Sequence, residues 1–300
     1  MNTSAPTTAI PILKGFREIA SQYDVVLCDI WGVVHNGQRH HEAACAALAE
    51  FRAAGGTVVL VTNAPRPNPP ILDQLKLLGV PDGTFDDIVT SGDVTLRFIA
   101  ERGMDPVYHI GPERDLTLFD ILEDQTGVCP PLVDLEDAAY VVCTGLFLDE
   151  TETPEDYGET LSVMKALGLD FISANPDLIV HVGERLMYCA GALAQAYEQR
   201  GGRVFQAGKP HAPIYERALE LARKARPGVE IDKSRVLAIG DAMRTDIRGA
   251  CDFGVDALFV TSGIHRDELH PDSALDEAAF KQFIADADIT PTAAMPALVW

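Results

Sequence analysis

Five polar side chains stand where apolar segments of the sequence end or where a helical segment is about to begin. In chain order they are Asp29, Thr62, Asn63, Lys209 and Asp241. A carboxylate can attack phosphorus and form an aspartyl-phosphate, which divides one difficult step into two easier ones. Hydroxyl, amide and ammonium groups can hold the non-bridging oxygens, and a second carboxylate can help to bind Mg²⁺ through oxygen. The set predicts a Mg²⁺-dependent phosphoryl-transfer site with Asp29 as the nucleophile.

Each of these residues, taken alone, also has an ordinary structural explanation. Aspartate is favoured where a chain turns, Thr62 and Asn63 could cap a helix or form a turn, and a loop lysine is normally solvated. The segment around Asp241 is more specific, because Asp241 and Asp246 straddle a turn directly after an apolar run. Capping could explain Asp246 but not both acids. The order of all these groups along the chain favours the functional interpretation.

The elements that must position these side chains follow an alternating pattern. Short runs rich in valine, leucine and isoleucine alternate with stretches of helical period, which is typical of βαβ units and a parallel sheet with helices on both faces. The predicted strands are Asp24–Asp29, Thr57–Thr62, Arg235–Gly240 and Asp256–Thr261. The predicted helices are Glu42–Ala54, Pro70–Leu78, Pro213–Ala225 and Asp246–Phe253. Functional groups are expected at the carboxyl ends of the parallel strands.

The middle of the chain shows the same alternation in a looser form. Strands are expected at Pro106–Ile110, Ala139–Cys143 and Leu169–Ile172, and a helix at Gly191–Arg200 that ends on two glycines. The tail, Ile289–Trp300, is interpreted as an irregular segment packed on the core. We therefore expect an α/β protein built on a doubly wound parallel sheet.

The composition limits the classes of partner. The chain has 300 residues, enough for two compact units, and its 47% apolar and 23% charged residues are typical of a soluble globular protein. The formal net charge of −21 argues against a nucleic-acid or anionic-membrane surface, since both need clustered lysine and arginine. The N-terminus lacks a basic region followed by an apolar one, and the apolar runs are too short to span a bilayer. We expect a cytoplasmic protein that binds neither nucleic acid nor membrane.

Six cysteines are spread along the chain without a C-x-x-C pair, which argues against a disulfide or zinc framework. Cys28, Cys143, Cys189 and Cys251 lie in apolar runs, so we expect them to be buried, reduced thiols.

Four segments resemble the motifs of the haloacid dehalogenase-like (HAD) superfamily and, within it, of the NagD-like class IIA hydrolases. Asp29–Gly37, with the sequence DIWGVVHNG, resembles the first motif, which supplies the nucleophile. Val61–Asn63 resembles the second, whose hydroxyl binds the phosphoryl group, and Gly208–Pro210 resembles the third, whose lysine steadies the nucleophile and the phosphate. Gly240–Asp246 resembles the fourth, whose acids bind or orient Mg²⁺.

The resemblance covers nearly the whole chain and implies a division into domains. Residues 1–100 and 204–300 would form a Rossmann-like core, and residues 101–203 an α/β cap inserted between them. The segment Asn175-Pro176-Asp177 resembles a substrate-facing loop of such caps. The implied substrate-binding residues are Asn63, Asn175 and Asp177.

The resemblance also implies a cofactor and a substrate class. Mg²⁺ would be held by Asp29, Asp241 and the backbone carbonyl of Trp31. Asp246 would orient these ligands without contacting the metal itself. Asp29, Thr62 and Lys209 would be the catalytic residues, and the substrate would be a small phosphorylated metabolite such as a sugar phosphate. Cap surfaces commonly mediate dimers in similar proteins, so a homodimer is compatible with the resemblance.

Trp31 departs from the first motif, which normally has a second aspartate at this position. That aspartate protonates the leaving group and then activates water. An indole N–H cannot take over this exchange at neutral pH, and the loss of a positioned acid–base group typically costs about 10²–10⁴ in rate. The motif with this change predicts weak or selective phosphatase turnover.

Four interpretations of Trp31 stay open at this level. His35 or His181 could supply the proton, or the substrate could have a leaving group that needs no acid. The chain could instead bind a phosphorylated ligand without turnover, or with slow phosphoryl transfer only. The fourth interpretation is carbon–halogen cleavage, which the retained Asp241 and Asp246 argue against, because a metal-free displacement does not need them.

Overall fold

The computed structural model describes residues 10–182 and 185–300, and every structural statement concerns these residues. The strands are β1 (Val25–Asp29), β2 (Thr57–Thr62), β3 (Asp87–Thr90), β4 (Val107–Ile110), β5 (Tyr140–Cys143), β6 (Asp170–Ser173), β7 (Ile179–Val182), β8 (Arg185–Tyr188), β9 (Arg203–Gln206), β10 (Val236–Gly240), β11 (Asp256–Val260) and β12 (Ala293–Met295). The helices are α1 (Glu42–Ala53), α2 (Asn68–Leu77), α3 (Ser91–Arg102), α4 (Thr117–Thr126), α5 (Gly158–Leu167), α6 (Ala190–Gln199), α7 (Ala212–Ala225), α8 (Arg248–Phe253), α9 (Arg266–Leu269) and α10 (Glu277–Asp286).

The strands form two larger sheets and a hairpin. One sheet has the order β12-β11-β10-β1-β2-β3, and β1, β10, β11 and β12 pair in parallel. The other has the order β4-β5-β6-β9 and is parallel throughout. The hairpin joins β7 and β8 in antiparallel register. The expected α/β fold with parallel sheets is confirmed.

The chain divides into two compact units. The first contains the residues up to Leu60 together with Leu78–Asp87 and Leu221–Trp300, and the second contains Val61–Leu77 and Ile88–Glu220. In the first unit, every residue of β1 and of β10 is buried. A parallel strand that is covered on both faces has no solvent-exposed side, which explains why the sequences of these strands are continuously apolar.

The second unit builds a core on each face of its four-stranded sheet. Alternate residues of a strand point to opposite faces, so Val141 and Phe171 join one buried cluster while Val142 and Ile172 join the other. The first cluster includes side chains of α5 and α6, and the second includes side chains of α3 and α4. The sheet is therefore covered on both faces.

Two expectations from the sequence were wrong. The tail is not irregular throughout, because Ala293–Met295 pairs in parallel with β11, and Thr261 N donates to Met295 O at 2.9 Å. Two alanines and a methionine give no strand pattern, so the pairing is decided by the neighbouring strand. Cys251 is exposed although it lies in an apolar run, whereas Cys28, Cys143 and Cys189 are buried as expected. All six cysteines are free.

Two buried tyrosines in the second unit differ in one hydrogen bond, which allows a matched stability test. The Tyr197 hydroxyl donates to Leu169 O at 2.7 Å, whereas the Tyr140 hydroxyl is buried without a partner among the described residues. We expect Tyr197→Phe to lower the free energy of unfolding by about 1–2 kcal/mol, because it leaves a buried carbonyl unpaired. Tyr140→Phe should be neutral or stabilising. Urea unfolding of both variants measures the difference, and equal losses would contradict this account.

Candidate active site

Three carboxylates converge at the carboxyl edge of the first unit's sheet. Asp29 is the last residue of β1 and Asp241 follows β10; the parallel register pairs Cys28 with Ile239, so both strands end at the same edge. Asp246 lies in a single π-helical turn, Met243–Ile247, that leads into α8. One oxygen from each acid lies within 4.8 Å of the others. The structure thus brings together three of the residues predicted to serve a metal site.

The protein backbone fixes the orientation of two of these acids. Asp241 Oδ2 accepts a hydrogen bond from Ile264 N at 2.8 Å, and Asp246 Oδ2 accepts one from Ala242 N at 3.1 Å. Hydrogen bonds from the backbone restrict the rotation of both carboxylates. The side chains are therefore positioned before any ligand arrives.

Three glycines make room for this arrangement. A Cβ atom on Gly32 or on Gly263 would lie 2.0 Å from Asp241 Oδ2, and one on Gly240 would lie 2.2 Å from Asp246 Cγ. Real side chains do not approach so closely, so no larger residue fits without moving an acid. Gly263 was missed in the sequence, where it lies 17 residues beyond the end of the fourth motif. Its only signal is its place just after β11, at the same sheet edge.

The donor set suits a hard divalent cation. Asp29, Asp241 and Asp246 are 8%, 4% and 4% exposed, and three carboxylates so close together repel one another unless a cation or protons neutralise them. Oxygen-only ligands are those preferred by Mg²⁺ and Ca²⁺. The described residues thus fit the metal that the motifs imply.

Trp31 lies in the loop after β1 and is 44% exposed. Its ring centroid is 5.2 Å from that of His35, at an interplanar angle of 79°, and a Cβ on Gly37 would come within 2.5 Å of the indole. The loop backbone is closed by a hydrogen bond from Gly32 N to His35 O at 2.8 Å. The indole thus packs on its own loop and offers no proton-transfer group.

His35 is poorly suited to replace the missing acid. It is 3% exposed, and its Nδ1 accepts a hydrogen bond from Gly37 N at 3.0 Å. Burial, and to a smaller extent His41, lowers the pKa of His35 to about 4. The ring is therefore neutral at pH 7, and no imidazolium is available to protonate a leaving group. The side chain of His181, the other candidate, lies outside the described residues.

The remaining predicted residues belong to the second unit, where Asn63 ties three segments together. Its Nδ2 donates to Asp177 Oδ1 at 2.9 Å and to Lys209 O at 3.0 Å, and its Oδ1 accepts from Lys209 N at 2.7 Å. Both amide hydrogens are therefore used within the protein. This geometry favours a positioning role for Asn63 over the substrate contact predicted from the sequence.

The neighbours of Asn63 are held by further hydrogen bonds. Asn175 Oδ1 accepts from Asp177 N at 2.9 Å, which shapes the predicted cap loop. Lys209 is 4% exposed, and its Nζ donates to Val61 O at 3.2 Å. Thr62 is half-buried, and its Oγ1 accepts from Ala64 N at 3.3 Å. Asn63, Asp177 and Lys209 thus form one hydrogen-bonded group.

Comparison with known proteins identifies the family. A family model described as haloacid dehalogenase-like hydrolase matches residues 26–123, and a HAD-hydrolase-like model matches residues 206–286. A crystal structure of a haloacid dehalogenase-like hydrolase from Brucella suis is 47% identical to this chain, with a TM-score of 0.82, and the match covers 96% of this chain and all of that one. The chain belongs to the haloacid dehalogenase-like hydrolase family.

More distant proteins support the same fold. NagD from Escherichia coli is 22% identical with a TM-score of 0.65, and the match covers 92% of this chain and 97% of NagD. The fold is therefore that of NagD-like members, as the motifs predicted. Among curated relatives, the 5'-nucleotidase YutF from Bacillus subtilis is 26% identical and an acid sugar phosphatase from Staphylococcus haemolyticus is 28% identical. These matches cover 82% and 81% of this chain and 90% and 86% of the relatives.

No helix within residues 10–182 and 185–300 combines the length and the apolar character that a bilayer crossing requires.

The role of Asn63 can be tested with an isosteric pair of substitutions. Asn63→Asp replaces a doubly bonded NH₂ group by an oxygen that faces a carboxylate and a carbonyl, so we expect the free energy of unfolding to fall by about 2–4 kcal/mol. Asn36→Asp is the control, because exposed Asn36 uses only its oxygen, which accepts from Gln38 N and Arg39 N at 3.0 Å. Chemical denaturation compares the two. A stable Asn63→Asp variant would show that this side chain does not hold the segments.

Proposed function

We propose that this chain is a Mg²⁺-dependent phosphatase that acts on a small phosphorylated metabolite, with Asp29 as the nucleophile. The observation that carries the proposal is the buried cluster of three carboxylates at a sheet edge in a member of a hydrolase family. The relatives named acid sugar phosphatase and 5'-nucleotidase support phosphate monoesters as the substrate class. A sugar phosphate is the first substrate to test and a nucleoside monophosphate the second.

The metal would be held by Asp29, Asp241 and the backbone carbonyl of Trp31, with Asp246 orienting the site. Bound Mg²⁺ would offset the repulsion among the carboxylates and polarise a phosphoryl oxygen. Without a cation, the repulsion among the three buried carboxylates would be left unbalanced. The site therefore needs the cation for its charge balance as well as for its chemistry.

The residues of the chain would carry two successive displacements at phosphorus. One Asp29 oxygen forms a bond to phosphorus, and the ester P–O bond breaks with its electron pair passing to the leaving oxygen, which then needs a proton. Water next attacks the aspartyl-phosphate, the acyl P–O bond breaks, and inorganic phosphate leaves with Asp29 restored. We assign Thr62 and Lys209 to the non-bridging oxygens, and Asn63 to the positioning of Lys209.

We further propose that residues 101–203 form the cap, with 1–100 and 204–300 as the core, and that Asn175 and Asp177 contribute to substrate selection. The hydrogen bond from Asp177 N to Asn175 Oδ1 supports a loop of defined shape at this point.

Because Trp31 stands where the acid would be, turnover of a substrate depends on whether its leaving group needs a proton. Neither Trp31 nor the neutral His35 can protonate an alkoxide, whereas an aryl or acyl phosphate expels a group that needs no proton. We therefore propose a preference for phosphate compounds with good leaving groups. Trp31 also supports a second candidate function, a protein that binds a phosphorylated ligand without turning it over.

The first test removes the nucleophile. Asp29→Asn keeps the size of the side chain but removes its charge, so we expect Mg²⁺-dependent phosphate release from 4-nitrophenyl phosphate and sugar phosphates to fall by about 10³-fold or more. Asp73→Asn, at an exposed position of α2, is the matched control and should leave the rate unchanged. Equal activity of Asp29→Asn and the wild type would refute the mechanism. A wild type that is stabilised by phosphorylated ligands yet releases no phosphate, even from acetyl phosphate, would support the second candidate.

The second test restores the missing acid. Trp31→Asp should raise kcat/KM for a sugar phosphate by about 10²–10⁴ and should change kcat/KM for acetyl phosphate much less, because kcat/KM reports the displacement in which the leaving group departs and only the alkoxide needs a proton there. Trp31→Phe is the control that shortens the aromatic side chain without adding a carboxylate. Thermal stabilisation by Mg²⁺ confirms in each variant that the site is intact. A Trp31→Asp variant that binds Mg²⁺ but gains no activity would show that Trp31 does not limit turnover.

A further inference from the structure

A cleft of about 750 Å³ opens in the second unit at the carboxyl end of β4. We call it the edge cleft, because β4 is the outer strand in the order β4-β5-β6-β9. Its lining includes Tyr108, His109, Glu113, Leu132, Asp134 and Phe147. Its volume lies within the range of roughly 300–1,000 Å³ that is usual for small-molecule sites, and clefts at the carboxyl ends of parallel strands are common places for them. None of the proposed catalytic residues lines it.

The walls of the edge cleft are built by local pairing. The segment Pro131–Val133 runs beside β4, with Val107 N donating to Pro131 O at 3.0 Å and Val133 N donating to Val107 O at 3.1 Å. His109 Nε2 lies 2.9 Å from Thr144 Oγ1, and the His109 ring packs edge-on against Phe119 at 5.7 Å. These contacts hold the lining residues Leu132, Val133 and His109 in place without any ligand.

The rim carries exposed apolar surface in a fixed position. Leu132 is 49% exposed and Phe147 is 39% exposed. Phe147 does not lie loosely on the surface, because its ring stacks on Tyr157 at 5.9 Å and 22°, and its backbone N donates to the Tyr157 hydroxyl at 2.7 Å. One face of an immobilised aromatic ring is thus left for a ligand, at little further cost in side-chain entropy.

The carboxylates that line the edge cleft give it a negative charge. Glu113, Asp134 and Asp137 line it, and no lysine or arginine of the described chain does. The guanidinium of Arg114, next in sequence to Glu113, is paired with Asp149. The three carboxylates therefore face the cleft without a cation of the protein among its lining residues.

The titrating side chains of the lining add no positive charge to the edge cleft. Burial, followed by the charges of Asp134 and Glu136, raises the pKa of the Tyr108 hydroxyl, as expected where a further negative charge is disfavoured. Burial lowers the pKa of His109 to about 4, so its ring adds no positive charge at neutral pH. These carboxylates would repel phosphate, so the edge cleft and the proposed phosphatase site differ in the charge of the ligand that they favour.

We propose that the edge cleft binds an organic cation, an ammonium group carried on an aromatic or aliphatic body. The ammonium group lies among Glu113, Asp134 and Asp137 and against the free face of Phe147, and the body packs against Leu132. Cation–π attraction to a fixed ring and Coulomb attraction to several carboxylates act on the same charged group, and the apolar rim removes the body from water. Because the acids are exposed, binding weakens as the salt concentration rises.

Three probes of nearly equal shape test the proposal on the full chain. Isothermal titration calorimetry with 2-phenylethylamine, 2-phenylethanol and phenylacetate at pH 7.5 compares a cation, a neutral analogue and an anion. We expect the amine to bind about tenfold more tightly than the alcohol, from one cation–π contact and the nearby carboxylates, and phenylacetate not to bind. An alcohol that binds as tightly as the amine would overturn the proposal.

Substitutions locate the binding. Asp134→Asn and Phe147→Ala should each weaken amine binding by about two- to fivefold. Asp124→Asn is the matched control, since Asp124 is exposed on α4 and does not line the edge cleft. Amine binding that Asp134→Asn and Phe147→Ala leave unchanged would overturn the proposal. A chain that binds no amine would also overturn the proposal. If such a chain dimerises in sedimentation and its Leu132→Asp variant is monomeric, the edge cleft is an interface between copies. None of these outcomes depends on the activity of Asp29.

Discussion

The first unit is organised around an electrostatic constraint, the approach of three buried carboxylates to within 4.8 Å of one another. Two buried carboxylates at this distance repel each other by roughly several kcal/mol, even at a moderate effective dielectric constant. The chain path holds the acids together in spite of this repulsion. Asp29 and Asp241 lie at the ends of adjacent parallel strands, and Asp246 follows in a turn where its carboxylate accepts a hydrogen bond from Ala242 N. Glycines at positions 32, 240 and 263 leave the space that the acids occupy. Such an arrangement is consistent with a fold shaped around a divalent cation, which converts mutual repulsion into shared attraction.

The sequence predicted the parts of the fold that continuous burial encodes. The strands β1, β2, β10 and β11 were located to within one residue at each end, because both of their faces are covered and their apolar runs are unbroken. The short strands β3 and β9 were not predicted. Asp-Ile-Val-Thr and Arg-Val-Phe-Gln carry polar residues at both ends, so four residues give too little pattern to recognise. Strand β12 and the exposed Cys251 were missed for a related reason: their environment is set by neighbours that are distant in sequence.

The candidate site shows the same limit more sharply. Residue types and strand ends were sufficient to select Asp29, Asp241 and Asp246, since parallel strands must end at a common edge. They were not sufficient to describe Asn63, whose partner Lys209 is 146 residues away. Only the structure shows that both amide hydrogens of Asn63 are used internally, and a side chain with no free donor is better suited to hold a lysine in place than to bind substrate. Gly263 was likewise not predicted. A glycine is needed there because a Cβ atom would collide with Asp241, which lies in another part of the chain.

Trp31 separates two contributions that a second aspartate would combine. Hydrogen bonds from Gly32 N to His35 O and from Val34 N to Ile30 O, both 2.8 Å, join backbone atoms only, so these two contacts do not need a particular side chain at position 31. The carbonyl that we assign to the metal is therefore retained, while the acid–base group is lost and His35 is kept neutral by burial. A site that keeps its nucleophile and its charge balance but cannot deliver a proton will favour substrates whose leaving group needs none. On this argument, the leaving group determines which phosphate compounds are turned over and which are only bound.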